Sequence, residues 1–98
     1  MKIKITKSFS DRLNKQIDFI ASDKPQAARI FRKKVINAMK DIPSMPYKHR
    51  MSIFFDQEEI RDMIVQGYII VYRINVVENC IEVFGFSKWE ENPYLKSI

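Results

Sequence analysis

The side chains with the greatest chemical reach in this chain are few. His49 is the only histidine and Cys80 the only cysteine, and the second half holds just four bases, Arg61, Arg73, Lys88 and Lys96. A histidine titrates near neutrality, but His49 sits in a proline-bounded stretch where an exposed bystander is the commoner outcome than a proton carrier. A lone thiol inside an apolar run, as at Cys80, is usually a small buried hydrophobe, and it excludes both an internal disulfide and a thiolate-pair metal site. Arg61 and Arg73 suit either a phosphate contact or a structural pair with acids such as Asp62 or Glu82. Trp89 directly follows Lys88, so it is a candidate base-stacking platform, although anchoring the chain end to a sheet is the more usual use. No HExxH, phosphate-loop, GxSxG or zinc-ligand spacing occurs. Neither a metal nor a cofactor is expected.

Charge adds a second clue. The net charge is +5, but residues 1–50 contain 13 bases and 4 acids, a balance of +9, whereas residues 51–98 contain 4 bases and 8 acids, a balance of −4. A basic half points to an anionic partner, nucleic acid or an acidic protein surface, or to a solvated helix face. Arg29, Arg32 and Lys33 are the candidate contacts for such a target, together with Trp89.

The elements that must position these groups follow from periodicity. Ile3 and Ile5 alternate with Lys2, Lys4 and Thr6, as in a half-buried strand. From Ser8 the period lengthens: Phe9, Leu13, Ile17 and Ile20 form one stripe of a helix, with Ser8 and Asp11 resembling a capping box. A second helix is predicted from Pro25, capped by Asp23, with Ala27, Phe31, Val35, Ala38 or Met39, and Ile42 on its apolar side. The helical hairpin thus spans roughly 8–22 and 25–42, and Pro43 and Pro46 end it. Residues 43–58 read mostly as a connection. IRDMIVQGYIIVYRINVV and CIEVFGF then read as sheet, turning at Gln66–Gly67 and Glu78–Asn79. The expected fold is α+β: an N-terminal strand and a helical hairpin packed on a small antiparallel sheet, one domain over 1–98.

Tyr68, Ile70, Tyr72 and Ile74 form the core-facing set of the middle strand. If Gln66–Gly67 sets the register, Ile64 lies across from Ile69 and Asp62 across from Val71 on the other face. Ile64, Ile69 and Val71, joined by Phe84 and Phe86, leave that face too apolar for open water, so a partner is expected to cover it. No apolar run is long enough to span a bilayer and no signal-peptide stretch opens the chain, so a cytoplasmic location is expected.

DKPQAARIFRKKV, IRDMIVQGYIIVYRI and IEVFGFSKWEENP, in this order and at this length, resemble the RelE/ParE superfamily of toxins from bacterial type II toxin-antitoxin modules. The resemblance implies a cognate antitoxin that wraps the toxin in a hetero-oligomer and is the partner expected over Ile64, Ile69, Val71, Phe84 and Phe86, and it implies one of two targets. RelE-like members cut messenger RNA on the ribosome without metal; ParE-like members poison DNA gyrase. In the nucleases of the family an arginine commonly follows the aromatic residue of the glycine-aromatic pair; here that position is Ile69. The family's basic residue after the last strand matches Lys88, and a tyrosine position is matched loosely by Tyr94. Arg61, Arg73, Lys88 and Tyr94 are therefore the catalytic candidates if the chain is an enzyme, and a metal-free endoribonuclease is then the enzyme expected. Isoleucine at position 69 favours the gyrase reading. A non-toxic nucleic-acid-binding regulator is the rival from another class.

Overall fold

The computed structural model describes residues 1–89. Strand β1 (Lys2–Ile5) leads into helices α1 (Lys7–Ala21) and α2 (Pro25–Asp41), a 3-10 turn at Ile42–Ser44 and the short strand β2 (Arg50–Met51). Strands β3 (Ile60–Val65), β4 (Tyr68–Asn75) and β5 (Cys80–Lys88) follow. The two helices pack on one sheet of five strands in the order β1-β5-β4-β3-β2. The α+β class is as expected, but the sheet is mixed. β1 runs parallel to β5, from Lys2 beside Cys80 to Ile5 beside Val83. No turn joins those two strands, so local sequence signals do not set their direction; Ile3 of β1 packs against the core.

Helix ends also differ in detail from the sequence expectation. Thr6, still extended at φ −76° and ψ 156°, caps α1 by accepting the Phe9 N–H at 3.1 Å. Ser8 already lies inside the helix, and Asp11 pairs with Lys7 one turn back at 3.4 Å. The cap must be the last non-helical residue, which places it two positions before Ser8. At α2 the cap position is Lys24, without a side-chain bond, because Pro25 itself starts the helix. Asp23 falls one residue too early.

The core lies between the hairpin and the sheet. Phe9 and Leu13 of α1 and Phe31, Val35 and Met39 of α2 meet Ile70, Tyr72, Ile74, Ile81, Val83 and Phe86. Each large apolar side chain so enclosed contributes roughly 1.5–3 kcal/mol. Ala28 is buried where Ala27 was expected, since 28, 31, 35 and 39 form the stripe in register. Phe86 belongs to this helix-side core and not to the opposite face.

The opposite face is closed at its centre by the chain itself. Ile69 is fully enclosed, and Ile60 and Val71 are buried with it under Phe54, Phe84 and Trp89. What holds the 43–59 connection down is polar. The Tyr72 hydroxyl donates to the Pro46 carbonyl at 2.5 Å. The Arg61 guanidinium donates to the carbonyls of Glu58 (2.9 Å) and His49 (3.1 Å) and to the Glu58 carboxylate, and lies over the Tyr47 ring. Asp62 accepts from the Ile53 N–H at 3.0 Å and from Arg50 at 3.4 Å. The loop thus docks because three β-strand side chains, Arg61, Asp62 and Tyr72, bond to it.

The β3–β4 register is the expected one, Ile64 beside Ile69 and Asp62 beside Val71. Between β4 and β5 it slips: Val71 pairs with Gly85 and Tyr72 with Val83, which leaves Phe84 as the extra residue of a bulge. A Cβ on Gly85 would lie 2.8 Å from the Val71 Cβ. Gly67, by contrast, has φ +82° in the hairpin turn with open space around it.

These two glycines give contrasting outcomes in urea unfolding. Gly85→Ala is expected to destabilise by about 1–3 kcal/mol through overpacking. Gly67→Asn, in a left-handed backbone that asparagine tolerates, costs well under about 1 kcal/mol. Equal midpoints for the two variants would contradict the close approach at Gly85. A pH series tests the Tyr72 tie. Burial pushes the Tyr72 phenol up to about 12, opposed by the nearby Arg61 guanidinium, whereas an unfolded tyrosine titrates near about 10. The neutral phenol is thus favoured by folding. Its contribution is complete below about pH 10 and is lost as pH rises through about 12. Wild type should therefore lose stability more steeply over that interval than Tyr72→Phe; parallel pH profiles would rule the tie out.

Candidate functional site

The structure does not bring the sequence-selected cations together. Arg61 retains only 9 % exposure and its donors bond to its own loop, so it is a structural residue, paired with Glu58 and not with Asp62 or Glu82. Arg73 is exposed on the loop-covered face, beside Glu82 of β5. It lines a recess of about 380 Å³ with Thr6, Phe55, Gln57, Ile60, Glu82 and Phe84. Lys88 pairs with Tyr68 at the far end of the strands and lies on the helix side, its ammonium 5.9 Å from the Phe19 ring centroid. Arg73 and Tyr68 are five residues apart on β4, about 17 Å at the rise of an extended strand. Tyr94 lies outside the described residues. Among the described residues, then, Arg73 and Lys88 occupy opposite ends and opposite faces and share no reaction centre.

Ile69 occupies the position where the resemblance places an arginine, and it is fully enclosed. Val71 is nearly so, whereas Ile64 stays about half exposed at the outer edge, just beyond the two-residue pairing of β2 with β3. Phe84 keeps part of its surface and meets Phe55 edge to face at 5.7 Å. Trp89 acts as an anchor: its backbone N–H donates to the Gly67 carbonyl at 2.9 Å, its ring packs on the Ile60, Ile69 and Val71 cluster, and Arg50 lies 5.2 Å from its ring centroid.

His49 is also tied to the fold. Its carbonyl accepts from Arg61 and its ring meets Tyr72 edge-on at 6.2 Å. Burial first and the neighbouring Lys48 second lower its pKa, against a smaller opposing pull from Asp41. Burial and Lys48 both favour the neutral imidazole. On α2, Arg29 bonds to Gln26 at 3.1 Å, and Arg32 and Lys33 are exposed. No group of three or more His, Cys, Asp or Glu side chains is placed to hold a metal among the described residues. No described helix is long and apolar enough to cross a membrane.

A surface that the sequence reading did not single out lies between α1 and the end of β5. Arg12, Lys15, Gln16 and Phe19 line one side of a cleft of about 470 Å³, and Tyr68, Phe86, Ser87 and Lys88 line the other. An Arg12 N–H donates to the Phe86 carbonyl at 3.3 Å, fixing its guanidinium at the cleft wall. Phe19 is 69 % exposed although large and aromatic. The available signal was the helical spacing of residues 12, 15, 16 and 19 beside the apolar stripe of Leu13 and Ile17, but only the fold places Lys88 opposite them.

This geometry has relatives. A solved chain from the chromosomal ParDE toxin-antitoxin system of P. aeruginosa superposes with a TM-score of 0.72 over 90 % of this chain and 95 % of that one, at 12 % identity, a likeness of fold. No curated protein matches the sequence. The family model of the ParE toxin of the type II toxin-antitoxin system, parDE, matches residues 3–93, and the chain belongs to that family of toxins.

Proposed function

We propose that this ParE-like toxin arrests growth by acting on DNA gyrase and not by cutting messenger RNA. Its family makes it the toxin of a type II toxin-antitoxin pair, with a cognate antitoxin as partner. The observation that carries the choice of target is Ile69. Metal-free RNA cleavage requires a proton acceptor, a proton donor and a cation at the phosphorane. At the position that supplies this cation in the family's nucleases, the chain has an enclosed aliphatic residue. Removing one such preorganised charge typically costs about 2.7–4 kcal/mol of transition-state stabilisation. Arg61 is bonded to its own loop, the His49 ring packs edge-on against Tyr72, and Arg73 and Lys88 lie far apart. Gyrase inhibition asks for no bond-making chemistry from the toxin. It asks for a docking surface, which the basic helical hairpin and its cleft provide, and it locates the action in the cytoplasm.

Purified, antitoxin-free protein should inhibit gyrase supercoiling and cause cleaved DNA to accumulate, while primer extension on translated messenger RNA shows no codon-positioned stops. Stops that vanish in Lys88→Ala or Arg73→Ala, with gyrase unaffected, would instead identify a ribonuclease. Induction of the chain alone separates either toxin from a non-toxic regulator, which leaves growth unchanged.

A further inference from the structure

The two helices carry different kinds of charge on their solvent sides. On α1 the signs are mixed: Asp11 bonds to Lys7 and lies four residues before Lys15, and Asp18 follows Lys15 by three residues. On α2 every exposed ionised side chain before Asp41 is a base: Arg29, Arg32, Lys33, Lys34 and Lys40. Among the described residues none of these five pairs with an acid, and Arg29 bonds to the neutral Gln26 at 3.1 Å. Arg29 stands three and four residues from Arg32 and Lys33, spacings at which like charges on a helix repel and destabilise it. A face kept only for solubility would be served by the mixed pattern of α1. The unrelieved repulsion on α2 points instead to an anion that binds there.

The shape of the face selects the anion. At 3.6 residues per turn, Arg29, Lys33 and Lys40 fall within about 40° of one another, opposite the buried stripe of Ala28, Phe31, Val35 and Met39, with Arg32 about 60° to one side. From Arg29 to Lys40 this ridge runs about 16 Å, and the exposed Gln26 and Asn37 add neutral hydrogen-bonding groups. An acidic protein surface would bury an apolar core inside its charged rim. A convex ridge whose exposed large apolar side chain is Ile30 does not supply one. A duplex offers about one phosphate charge per 1.7 Å of axis, and its major groove, about 12 Å wide, is narrow enough for the ridge to reach phosphates of both strands. We propose that the outer face of α2 binds the phosphate backbone of duplex DNA, without reading its sequence, so that the toxin holds DNA while gyrase is bound to it. The binding stands on the α2 surface alone; its place beside gyrase rests on the reading of the chain as a gyrase poison.

The probe is a fluorescein-labelled duplex of about 20 base pairs, titrated with antitoxin-free toxin and followed by fluorescence anisotropy. With about four phosphates contacted, affinity should fall on the order of a hundredfold between 50 and 200 mM salt. Arg32→Gln/Lys33→Gln should weaken binding roughly tenfold and flatten the log-log salt slope by about 2. The control Lys2→Gln/Lys4→Gln removes the same charge from β1 and should stay within about threefold, because salt screens distant charges. Duplexes of unrelated sequence should bind within about threefold of one another. In a gyrase assay the α2 variant should need roughly tenfold more toxin than wild type to accumulate cleaved DNA. The proposal is overturned if the duplex does not bind, if the two variants weaken it equally, or if the α2 variant poisons gyrase at wild-type concentrations. It is overturned too if polyglutamate displaces the labelled duplex better than unlabelled duplex does, which would make the face an acidic-protein site. Circular dichroism on each variant confirms that the fold is intact. Duplex binding that depends on α2, without gyrase poisoning by the wild-type chain, would reject the gyrase reading and leave the α2 site standing.

Discussion

Burial of β4 on both faces is the constraint on which the rest of the structure depends. Ile70, Tyr72 and Ile74 face the helices while Ile69 and Val71 face away, and all of them are buried. A strand enclosed in this way needs cover on each side, and the helical hairpin supplies only one. The other cover is irregular chain, which brings backbone polar groups that need partners. On that face Asp62 accepts the N–H of Ile53, and from the helix side of the same strands Arg61 and Tyr72 bond to the carbonyls of His49, Glu58 and Pro46 at the start and end of the connection. The bulge at Phe84 and the bare backbone of Gly85 then let β5 approach Val71 closely enough to complete the face. Side chains of the right type for chemistry are thereby committed to holding the fold.

That commitment explains which parts of the molecule were legible in the sequence. The helices, the three long strands and the β3–β4 register follow from local periodicity and from one turn, Gln66–Gly67, whose positive φ angles of 54° and 82° fix the pairing. The parallel β1–β5 pairing, the short β2 and the loop over the second face depend on contacts distant in sequence, and no local pattern encodes them. The apolar excess over Ile69 and Val71 is met at its centre from within the chain, while Ile64 at the edge stays half exposed. Phe54, Phe84 and Trp89 supply the cover. Phe86 changed faces because the bulge adds one residue, and a one-residue shift reverses the side that a strand residue faces.

The catalytic candidates were the least legible, and the reason is again physical. An arginine in a strand looks the same in sequence whether it bonds to a loop, as Arg61 does, or stands exposed, as Arg73 does. The cleft lined by Arg12, Lys15, Phe19 and Lys88 was invisible for the converse reason: each residue is unremarked on its own helix or strand, and only packing of α1 beside β5 joins them. Family membership and this distribution of charge describe the same kind of molecule, a toxin whose described surface is built for recognition.

The most direct measurement of that account is made in cells. After induction of the chain without its antitoxin, DNA is recovered under denaturing conditions and probed for covalently attached gyrase. The account predicts that gyrase-DNA complexes rise above the uninduced level before growth stops, with bulk messenger RNA intact. Growth arrest with no rise in those complexes, accompanied by cleaved messenger RNA, would contradict it.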